Sequence, residues 1–333
     1  MSTTDFKAMV VEEKDKHTFT RRIARKSIDD LPDGDVLIKV NYSSLNYKDA
    51  LSATGNRGVT RQFPHTPGID AAGSVAHSGA SHFTPGQDVI VTGYDLGMNT
   101  SGGFSEYIRV PADWVVPCPK GLSPMESMIY GTAGFTAALS IVKLIDHGLE
   151  THQGDVLVTG ATGGVGSLAV SILAGIGFRV VAVSGKTDRT SFLQDLGAAE
   201  VISREEATDT SGRPLVKGRW AGVVDTVGGD ILATALKATR YGGSVSCCGL
   251  VASPELKTTV FPFILRNVNL LGIDSVACPM DLRREIWQKL ATDWKPGRLG
   301  ELCQTVSLEE VDPLIETILK GRVSGRVVID LNR

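Results

Sequence analysis

The hydrophobic and polar positions of the first 120 or so residues alternate in short runs that are typical of β-strands. Gly/Pro-containing and polar turns such as Leu31-Pro32-Asp33-Gly34 separate these runs. The predicted strands cover residues 6–12, 19–25, 35–40, 73–76, 87–92 and 105–110. Many short strands with few helices favour a small barrel or sandwich. The pattern therefore predicts a β domain over residues 1–122.

The pattern changes after residue 122, where longer apolar segments take over. An Ala-rich segment predicts one long helix at residues 123–145, with Ser123 as its N-cap and Pro124 in its first turn. Strands are then predicted at residues 155–159, 179–183, 200–202, 222–226, 244–248 and 269–272, and helices at 164–176, 188–196, 230–240 and 261–266. Apolar strands alternating with helices are typical of a doubly wound parallel sheet. This predicts an α/β domain over residues 123–276.

The C-terminal tail, residues 277–333, contains two amphipathic helices at 281–294 and 308–320 and a last strand at 326–330. A single terminal strand needs a sheet to join. The tail is therefore expected to return to the first domain and complete it.

Composition narrows the class of protein. The chain has 333 residues, 42% hydrophobic and 21% charged, with a net charge of −3. These values exclude a disordered chain and offer no basic surface for nucleic acid. We see no apolar run long enough for a membrane span and no signal-peptide layout at the N-terminus, and the five cysteines show no disulfide framework. We therefore expect a cytoplasmic protein without membrane or nucleic-acid partners.

The sharpest motif is a glycine-rich loop, Gly160-Ala161-Thr162-Gly163-Gly164-Val165-Gly166, which follows an apolar strand and opens a helix. Gly163 lets the backbone approach a pyrophosphate, whose charge the helix N-terminus favours, and Gly166 lets helix and strand pack closely. The loop predicts a dinucleotide site. Its expected cofactor-binding residues are Thr162, Gly163, Gly164 and Val165.

The next strand ends in Ser184-Gly185-Lys186, where an NAD-preferring site usually has an acid. The Ser184 hydroxyl and the Lys186 ammonium suit a 2′-phosphate, and Arg204 adds a second cation. The alternative is that both cations are ordinary solvated charges. These residues favour NADPH as the cofactor.

A catalytic zinc needs three protein ligands, and the β region offers His65, His77, His82 and Cys118 without paired spacing. No metal is therefore expected. Hydride transfer without a metal requires a substrate that is already activated.

Several segments resemble the zinc-independent quinone oxidoreductase side of the medium-chain dehydrogenase/reductase superfamily. The resemblance covers essentially the whole chain. The segments are Ser-Ser-Leu-Asn-Tyr-Lys-Asp at 43–49, Pro-Gly-Ile-Asp-Ala-Ala-Gly at 67–73, Gly-Thr-Ala-Gly-Phe-Thr-Ala at 131–137, the glycine loop and Asp-Thr-Val-Gly at 225–228. The later stretch at 259–268, followed by Gly-Ile-Asp-Ser at 272–275, is similar to the acrylyl-CoA reductase branch, and its part Pro-Phe-Ile-Leu-Arg-Asn at 262–267 is specific to that branch.

The resemblance implies a GroES-like β-barrel catalytic domain plus a doubly wound parallel Rossmann domain, with the active site in the cleft between them. The implied reaction is NADPH-dependent reduction of acrylyl-CoA to propionyl-CoA. Two alternatives stay open. One is a quinone or enone oxidoreductase, and the other is a non-enzymatic NADPH-binding protein.

The same resemblance suggests roles for individual residues. Tyr47 is the expected proton donor or oxyanion ligand, with Asn46 beside it, although a barrel-core tyrosine is the alternative. Arg326 is expected to hold the thioester or the cofactor, with a surface salt bridge as its alternative. Thr132 is expected to bond the nicotinamide amide, and Asp70 to order its loop. Leu250, Ile264 and Ser275 complete the expected cofactor-binding set.

Two further expectations concern partners. Residues 269–273 are apolar and free of proline, so we expect this strand to pair with a symmetry mate in a homodimer. Arg57 and Arg61 could anchor the phosphates of a CoA substrate, but an exposed basic loop is an equally ordinary reading.

Overall fold

The computed structural model describes residues 5–333, which divide into two compact units. The first unit extends up to Thr132 and resumes with Val276–Ala291 and Arg298–Arg333. The second consists of Ala133–Ser275 and Thr292–Gly297. The first unit thus runs past residue 122, where the change in sequence pattern falls, and includes the start of the long helix.

The first unit begins as a β structure. Strands β1 and β2 form an antiparallel hairpin, and the following strands build a second sheet. The elements are β1 (Asp5–Asp15), β2 (Thr18–Ser27), β3 (Val36–Ser44), α1 (Tyr47–Ala53), β4 (Asp70–Ser78), β5 (Asp88–Thr92), β6 (Tyr107–Val110) and β7 (Val115–Pro117). Helix α1 and strand β7 were not predicted, because both are short and α1 begins in a polar motif.

The long helix begins in the first unit and ends in the second. The second unit then alternates strands with helices. The elements are α2 (Pro124–Asp146), β8 (Val156–Val158), α3 (Gly164–Gly175), β9 (Val180–Val183), α4 (Thr190–Asp195), β10 (Ala198–Ile202), β11 (Trp220–Asp225), α5 (Gly229–Ala238), β12 (Thr239–Cys247), α6 (Phe261–Arg266) and β13 (Asn269–Gly272).

The last elements belong to the tail: α7 (Met280–Ala291), β14 (Cys303–Ser307), α8 (Asp312–Leu319) and β15 (Arg326–Asp330). Strand β15 pairs antiparallel with β3 and parallel with β14, in a sheet of order β14-β15-β3-β4-β5-β7 in which β6 also pairs with β3. Strand β15 therefore lies in the same sheet as the early strands β3, β4 and β5. Strand β14 was missed, because its sequence Cys-Gln-Thr-Val-Ser is short and half polar.

The prediction of one continuous helix at residues 123–145 was wrong at one position. Gly131 has φ 51° and ψ −156°, which breaks α2 into two helical parts. Helix α2 is long and apolar enough to cross a membrane, with a mean hydropathy of 1.5 over its most apolar window, but 83% of that window is buried in the protein. Such burial is typical of a core helix.

The sheet of the second unit is entirely parallel, in the order β10-β9-β8-β11-β12-β13. This order confirms the predicted doubly wound sheet. Its direction of winding reverses between β8 and β11, so ligands are expected at the carboxyl ends of these two strands. Strand β13 lies at one edge.

Candidate active site

A cluster of polar side chains is buried in the first unit, between the start of α1 and strands β3, β4 and β15. Its members are Ser44, Asn46, Asp49, Asp70 and Arg326, each no more than 8% exposed. Buried charges are costly unless they are paired and hydrogen-bonded. The contacts within the cluster show how that cost is met.

The Asp70 carboxylate is the centre of this cluster. Its Oδ2 accepts hydrogen bonds from Ser44 Oγ at 2.6 Å and from Asn46 Nδ2 at 2.8 Å. Its Oδ1 accepts one from the Thr132 hydroxyl at 2.6 Å, and the Thr132 backbone N–H reaches both oxygens at 3.0 and 2.9 Å. Asp70 therefore joins the start of β4 to the end of β3 and to the break in α2. The expectation that it orders only its own loop was too narrow.

Arg326 enters the cluster from β15. Its Nε donates to the carbonyl of Ile129 at 2.9 Å, its Nη2 to Ser44 Oγ at 2.8 Å and its Nη1 to Asn46 Oδ1 at 3.2 Å. Nη2 also lies 3.9 Å from Asp70 Oδ2. The side chain is 3% exposed, so the structure gives Arg326 protein partners in place of a surface salt bridge.

Asp49, in the first turn of α1, holds the loop before β4. Its Oδ1 accepts from the backbone N–H of Ile69 at 2.7 Å, and its Oδ2 from the backbone N–H of Asn46 at 2.8 Å. Burial, with a smaller contribution from the negative charge of Asp70, raises the pKa of Asp49 to about 7.

Glycine is required at position 131 for two reasons. Its φ lies in the left-handed region, which side chains rarely adopt. An added Cβ would also meet Asp70 Oδ2 at a forbidden distance, and would lie 2.6 Å from Ser44 Oγ and 2.8 Å from Arg326 Nη2. The break in α2 therefore lets the cluster close against the helix.

Tyr47 is the first residue of α1, directly after Asn46. It is 41% exposed, whereas both polar atoms of the Asn46 side chain are engaged by the cluster. The alternative of a tyrosine enclosed in the barrel core does not describe this side chain. Its phenol stands at the surface of the unit on a firmly held helix start.

The second unit places two loops together at the carboxyl ends of β8 and β11. The Thr159 hydroxyl donates to the buried Asp225 at 2.7 Å, and the Thr226 hydroxyl donates back to the carbonyl of Thr159 at 2.8 Å. Asp225 also accepts from the backbone N–H of Gly228 at 2.8 Å. Burial raises the pKa of Asp225. These hydrogen bonds fix the glycine loop at the point where the direction of winding of the sheet reverses, between β8 and β11.

The glycine loop fits an anionic ligand at the N-terminus of α3. Gly163 is the N-cap of α3, and Gly164 and Val165 are its first residues. A Cβ at Gly166 would collide with the carbonyl oxygen of Gly160 and lie 2.7 Å from Ala161 Cα. The close approach of helix and loop expected for Gly166 is therefore present. Thr162 is 7% exposed beside them.

A group of cations follows β9. Ser184 Oγ accepts the backbone N–H of Lys186 at 2.9 Å, which shapes the turn, and a Cβ on Gly185 would lie 2.6 Å from the Arg204 guanidinium. The pKa of Lys186 is lowered, first by burial and then by the charge of Arg189, with a smaller effect of Arg204. A bound phosphate would relieve this repulsion, so the residues fit a 2′-phosphate.

The other expected residues are distributed as follows. Leu250 and Ile264 are 66% and 69% exposed, and Ser275 Oγ accepts the hydroxyl of Thr136 at 2.9 Å. Arg57 is engaged by Glu13 and by the carbonyl of Arg61, and lies over the Phe63 ring at 5.1 Å. Arg57 therefore already has partners within the protein, and this makes it a poorer candidate for binding the phosphates of a CoA substrate.

Among residues 5–333, no three His, Cys, Asp or Glu side chains come together as a metal site. The carboxylates of Asp70 and Asp225 accept hydrogen bonds from hydroxyl, amide and backbone donors instead, and Asp70 also lies near the Arg326 guanidinium.

Family comparisons agree with this architecture. Residues 32–120 match the family described as alcohol dehydrogenase GroES-like domain, and residues 164–292 match the family described as zinc-binding dehydrogenase. The first match covers all of β3–β7, and the second runs from the start of α3 to the end of α7.

Two curated relatives cover almost the entire chain. The YhfP protein of Bacillus subtilis, named as a quinone oxidoreductase, is 48% identical over 99% of this chain and 100% of its own. The acrylyl-CoA reductase AcuI of Ruegeria pomeroyi is 44% identical over 98% of this chain and 99% of its own.

Solved structures agree equally well. The yhdH oxidoreductase of Salmonella enterica in complex with NADP is 43% identical with a TM-score of 0.95, and covers 98% of this chain and 99% of its own. The Bacillus subtilis yhfP structure with NAD bound is 48% identical with a TM-score of 0.96, and covers 99% and 100%.

The fold and the dinucleotide loop define a two-domain nicotinamide-type oxidoreductase. More particularly, the chain belongs to the zinc-independent quinone oxidoreductase-like family of medium-chain dehydrogenases/reductases. The resemblance inferred from the sequence is confirmed, and so is the expectation of a GroES-like domain with a Rossmann-type sheet.

Sequence reasoning missed the importance of Ser44, Asp49, Asp70 and Gly131. A signal was present, because polar residues in the segments 43–49 and 67–70 interrupt otherwise apolar strands. What the pattern could not supply was the partner from β15, which lies 256 to 282 positions along the chain from Asp70 and Ser44.

Proposed function

We propose that the chain is an NADPH-dependent reductase of an activated carbon–carbon double bond, and that it converts acrylyl-CoA to propionyl-CoA. The observation that carries the proposal is the exposed phenol of Tyr47 on a helix start that the buried cluster holds in place. The relative named as an acrylyl-CoA reductase supports the substrate class.

NADPH, when bound, supplies a hydride to the β-carbon of the enoyl thioester. The electron pair of the double bond then moves onto the thioester oxygen, and a proton must reach the α-carbon. Tyr47 is proposed to donate a hydrogen bond to that oxygen or to deliver this proton, since its exposed phenol can do either. Asn46 and Arg326 are proposed as positioning residues, because the cluster engages both side chains.

Three sets of residues are proposed to hold the cofactor. The pyrophosphate is assigned to Thr162, Gly163, Gly164 and Val165, and the 2′-phosphate to Ser184, Gly185, Lys186 and Arg204. The remaining parts of the cofactor, including the nicotinamide, are assigned to Thr132, Tyr47, Leu250, Ile264 and Ser275. The NADP-bound relative from Salmonella enterica supports this assignment of the cofactor. The cations after β9 give the physical reason for NADPH over NADH.

A quinone or enone oxidoreductase is the second candidate, supported by the relative named as a quinone oxidoreductase. Steady-state kinetics with NADPH on acrylyl-CoA, crotonyl-CoA and a simple quinone tests both. We expect the highest kcat/KM for acrylyl-CoA. A higher value for the quinone would favour the second candidate, and NADPH binding without turnover of any acceptor would favour a non-enzymatic role.

Isotope labelling tests the direction of addition. Deuterium carried at C4 of NADPH should appear at the β-carbon of propionyl-CoA, while the α-carbon takes its hydrogen from the solvent. Coenzyme deuterium at the α-carbon would contradict the proposed chemistry.

Tyr47→Phe tests the proposed role of the phenol. General acid catalysis contributes roughly 10²–10⁴-fold, so kcat should fall within that range, by a much larger factor than any loss of NADPH affinity. Tyr241→Phe, at a 78% exposed tyrosine of the second unit, is the matched control. A loss below about tenfold for Tyr47→Phe would assign Tyr47 to positioning alone.

We also propose that two copies of the chain pair through β13 in the cytoplasm. Strand β13 is a sheet edge, and Leu270 on it is 37% exposed. An open apolar edge invites pairing, and a twofold partner satisfies it. Light scattering should find a dimer that Leu271→Lys shifts toward monomer. A wild-type monomer at all practical concentrations would contradict this pairing.

A further inference from the structure

The hydroxyl of Thr132 has only one hydrogen, and the structure shows where it goes. Thr132 Oγ1 lies 2.6 Å from Asp70 Oδ1, and the backbone N–H of the same residue lies 3.0 Å from that oxygen. A carboxylate oxygen accepts hydrogen bonds, so the hydroxyl must be the donor in this contact. Because the hydroxyl hydrogen is donated to Asp70, Thr132 Oγ1 can act toward a ligand only as a hydrogen-bond acceptor.

The rest of the cluster keeps Asp70 in the accepting role. Arg326 can only donate, so the 2.8 Å contact from its Nη2 makes Ser44 Oγ an acceptor there and turns the Ser44 hydrogen toward Asp70. The contact from Arg326 Nη1 to Asn46 Oδ1 likewise turns the Asn46 amide N–H toward Asp70. A guanidinium thus sets the direction of two hydrogen bonds to the carboxylate.

The backbone at the break in α2 maintains this arrangement. Gly131 adopts φ 51° and ψ −156°, which brings the next residue's N–H and hydroxyl together onto one carboxylate. An added Cβ at position 131 would lie 2.6 Å from Ser44 Oγ and 2.8 Å from Arg326 Nη2. The direction of the Thr132 hydroxyl is therefore built into the fold.

We infer that Asp70 is a specificity-determining positioning residue, which makes Thr132 an acceptor for the carboxamide N–H of the nicotinamide ring. This inference rests on the proposed function, in which Thr132 contacts the cofactor. It adds that Thr132 distinguishes a ring carrying a carboxamide from one carrying a group without an N–H donor.

A cofactor analogue provides the test. In reduced 3-acetylpyridine adenine dinucleotide phosphate, a methyl group replaces the carboxamide nitrogen and removes the donor. We define the selectivity as the dissociation constant of this analogue divided by that of NADPH, both measured by direct titration. One hydrogen bond is worth roughly 2- to 13-fold in affinity, and wild type should show a selectivity in that range.

Thr132→Val removes the acceptor, so its selectivity should fall toward 1, and Thr132→Ser should restore it. In Asp70→Asn, the donors Ser44 and Asn46 favour the amide oxygen on their side, so the amide nitrogen faces Thr132 and its hydroxyl hydrogen is released. Asp70→Asn should therefore also lower the selectivity toward 1, and adding Thr132→Val should produce no further change.

Thr239→Val is the matched control for the loss of a buried threonine hydroxyl. Thr239 is fully buried and donates to the carbonyl of Ala235 at 2.7 Å, away from the Asp70 cluster. The selectivity of the Thr239→Val variant should equal that of the wild-type protein. If Asp70→Asn does not fold, the valine and serine variants at position 132 still test whether Thr132 accepts the carboxamide N–H, and an unchanged selectivity in Thr132→Val still overturns the inference.

The outcomes separate the inference from the proposed function. If the wild-type protein binds NADPH and reduces the enoyl thioester but Thr132→Val has the same selectivity as wild type, the inference is overturned and the proposed function is not. Failure of wild type to bind NADPH would overturn the proposed function. Lowered selectivity in Thr132→Val and Asp70→Asn, restored by Thr132→Ser, would establish the role of Asp70.

Discussion

The two units build their polar sites from different materials. In the first unit, side chains from β3, α1, β4 and β15 meet around Asp70, and hydroxyl, amide and guanidinium groups supply most of the hydrogen bonds. In the second unit, the loop after β8 presents mainly backbone, with Gly163 and Gly166 at the start of α3. One site depends on charge and hydrogen-bond direction, and the other on the space that glycine leaves.

This difference indicates how each site should respond to substitution. A side-chain cluster is sensitive to loss of a charge partner, because the groups left behind are buried. A backbone site tolerates changes of polarity nearby but is sensitive to added atoms. Substitutions in each unit therefore test one side of this contrast.

The largest effect is expected for Arg326→Met. The change leaves the buried Asp70 and Asp49 carboxyls without the cation, and removing one partner of a buried pair typically costs about 3–5 kcal/mol. Urea unfolding measures the loss. Arg22→Met, which breaks the exposed pair with Glu12, is the control and should change stability little. A loss below about 1 kcal/mol in Arg326→Met would contradict the pairing role.

The pH dependence of stability should contain a component from Asp49. Its pKa is about 7 in the folded protein, above its ordinary value of 3.8, so the folded state holds a proton that the unfolded state releases. Stability from this group is full at low pH and is lost as pH rises from about 4 to about 7, by up to about 1.4 kcal/mol per pH unit. Asp49→Asn should remove that slope from unfolding curves between pH 5 and pH 7. An identical slope in both proteins would count against a raised pKa.

In the second unit, Gly166→Ala should destabilise by about 1–3 kcal/mol and weaken NADPH binding, because the new Cβ meets the backbone of Gly160 and Ala161. The matched control lies on the same helix. Gly175→Ala adds a Cβ in open space and should be neutral or slightly stabilising. Thermal unfolding and NADPH titration compare the two variants. Equal stability and equal NADPH affinity in both would contradict the idea that position 166 has no space for a Cβ.

The smallest effect is expected for Lys186→Ala. Loss of this ammonium should weaken NADPH by about tenfold, as expected for a charge-assisted hydrogen bond, and leave NADH nearly unchanged. Titration with both coenzymes measures the ratio. An equal loss for the two would mean that Lys186 does not contact the 2′-phosphate.

The same contrast explains how much could be predicted from the sequence. The glycine loop, its helix and the absent acid after β9 are contiguous, and local rules identified them along with the doubly wound sheet. The Asp70 cluster is formed by residues distant in the chain, and no periodicity links Ser44 to Arg326. The break at Gly131 was missed for a related reason, since the Ala-rich pattern continues on both sides and only the tertiary contacts of Asp70 and Arg326 require it.

The origin of Arg326 in the last strand also has a consequence for the order of folding during synthesis. The second unit is almost contiguous, so it can fold while the ribosome is still translating the tail. The first unit has its early strands from the beginning, yet its buried acids receive their cation only when residue 326 has been synthesised. The domain whose synthesis starts first therefore gains its buried cation only after the second unit has been synthesised.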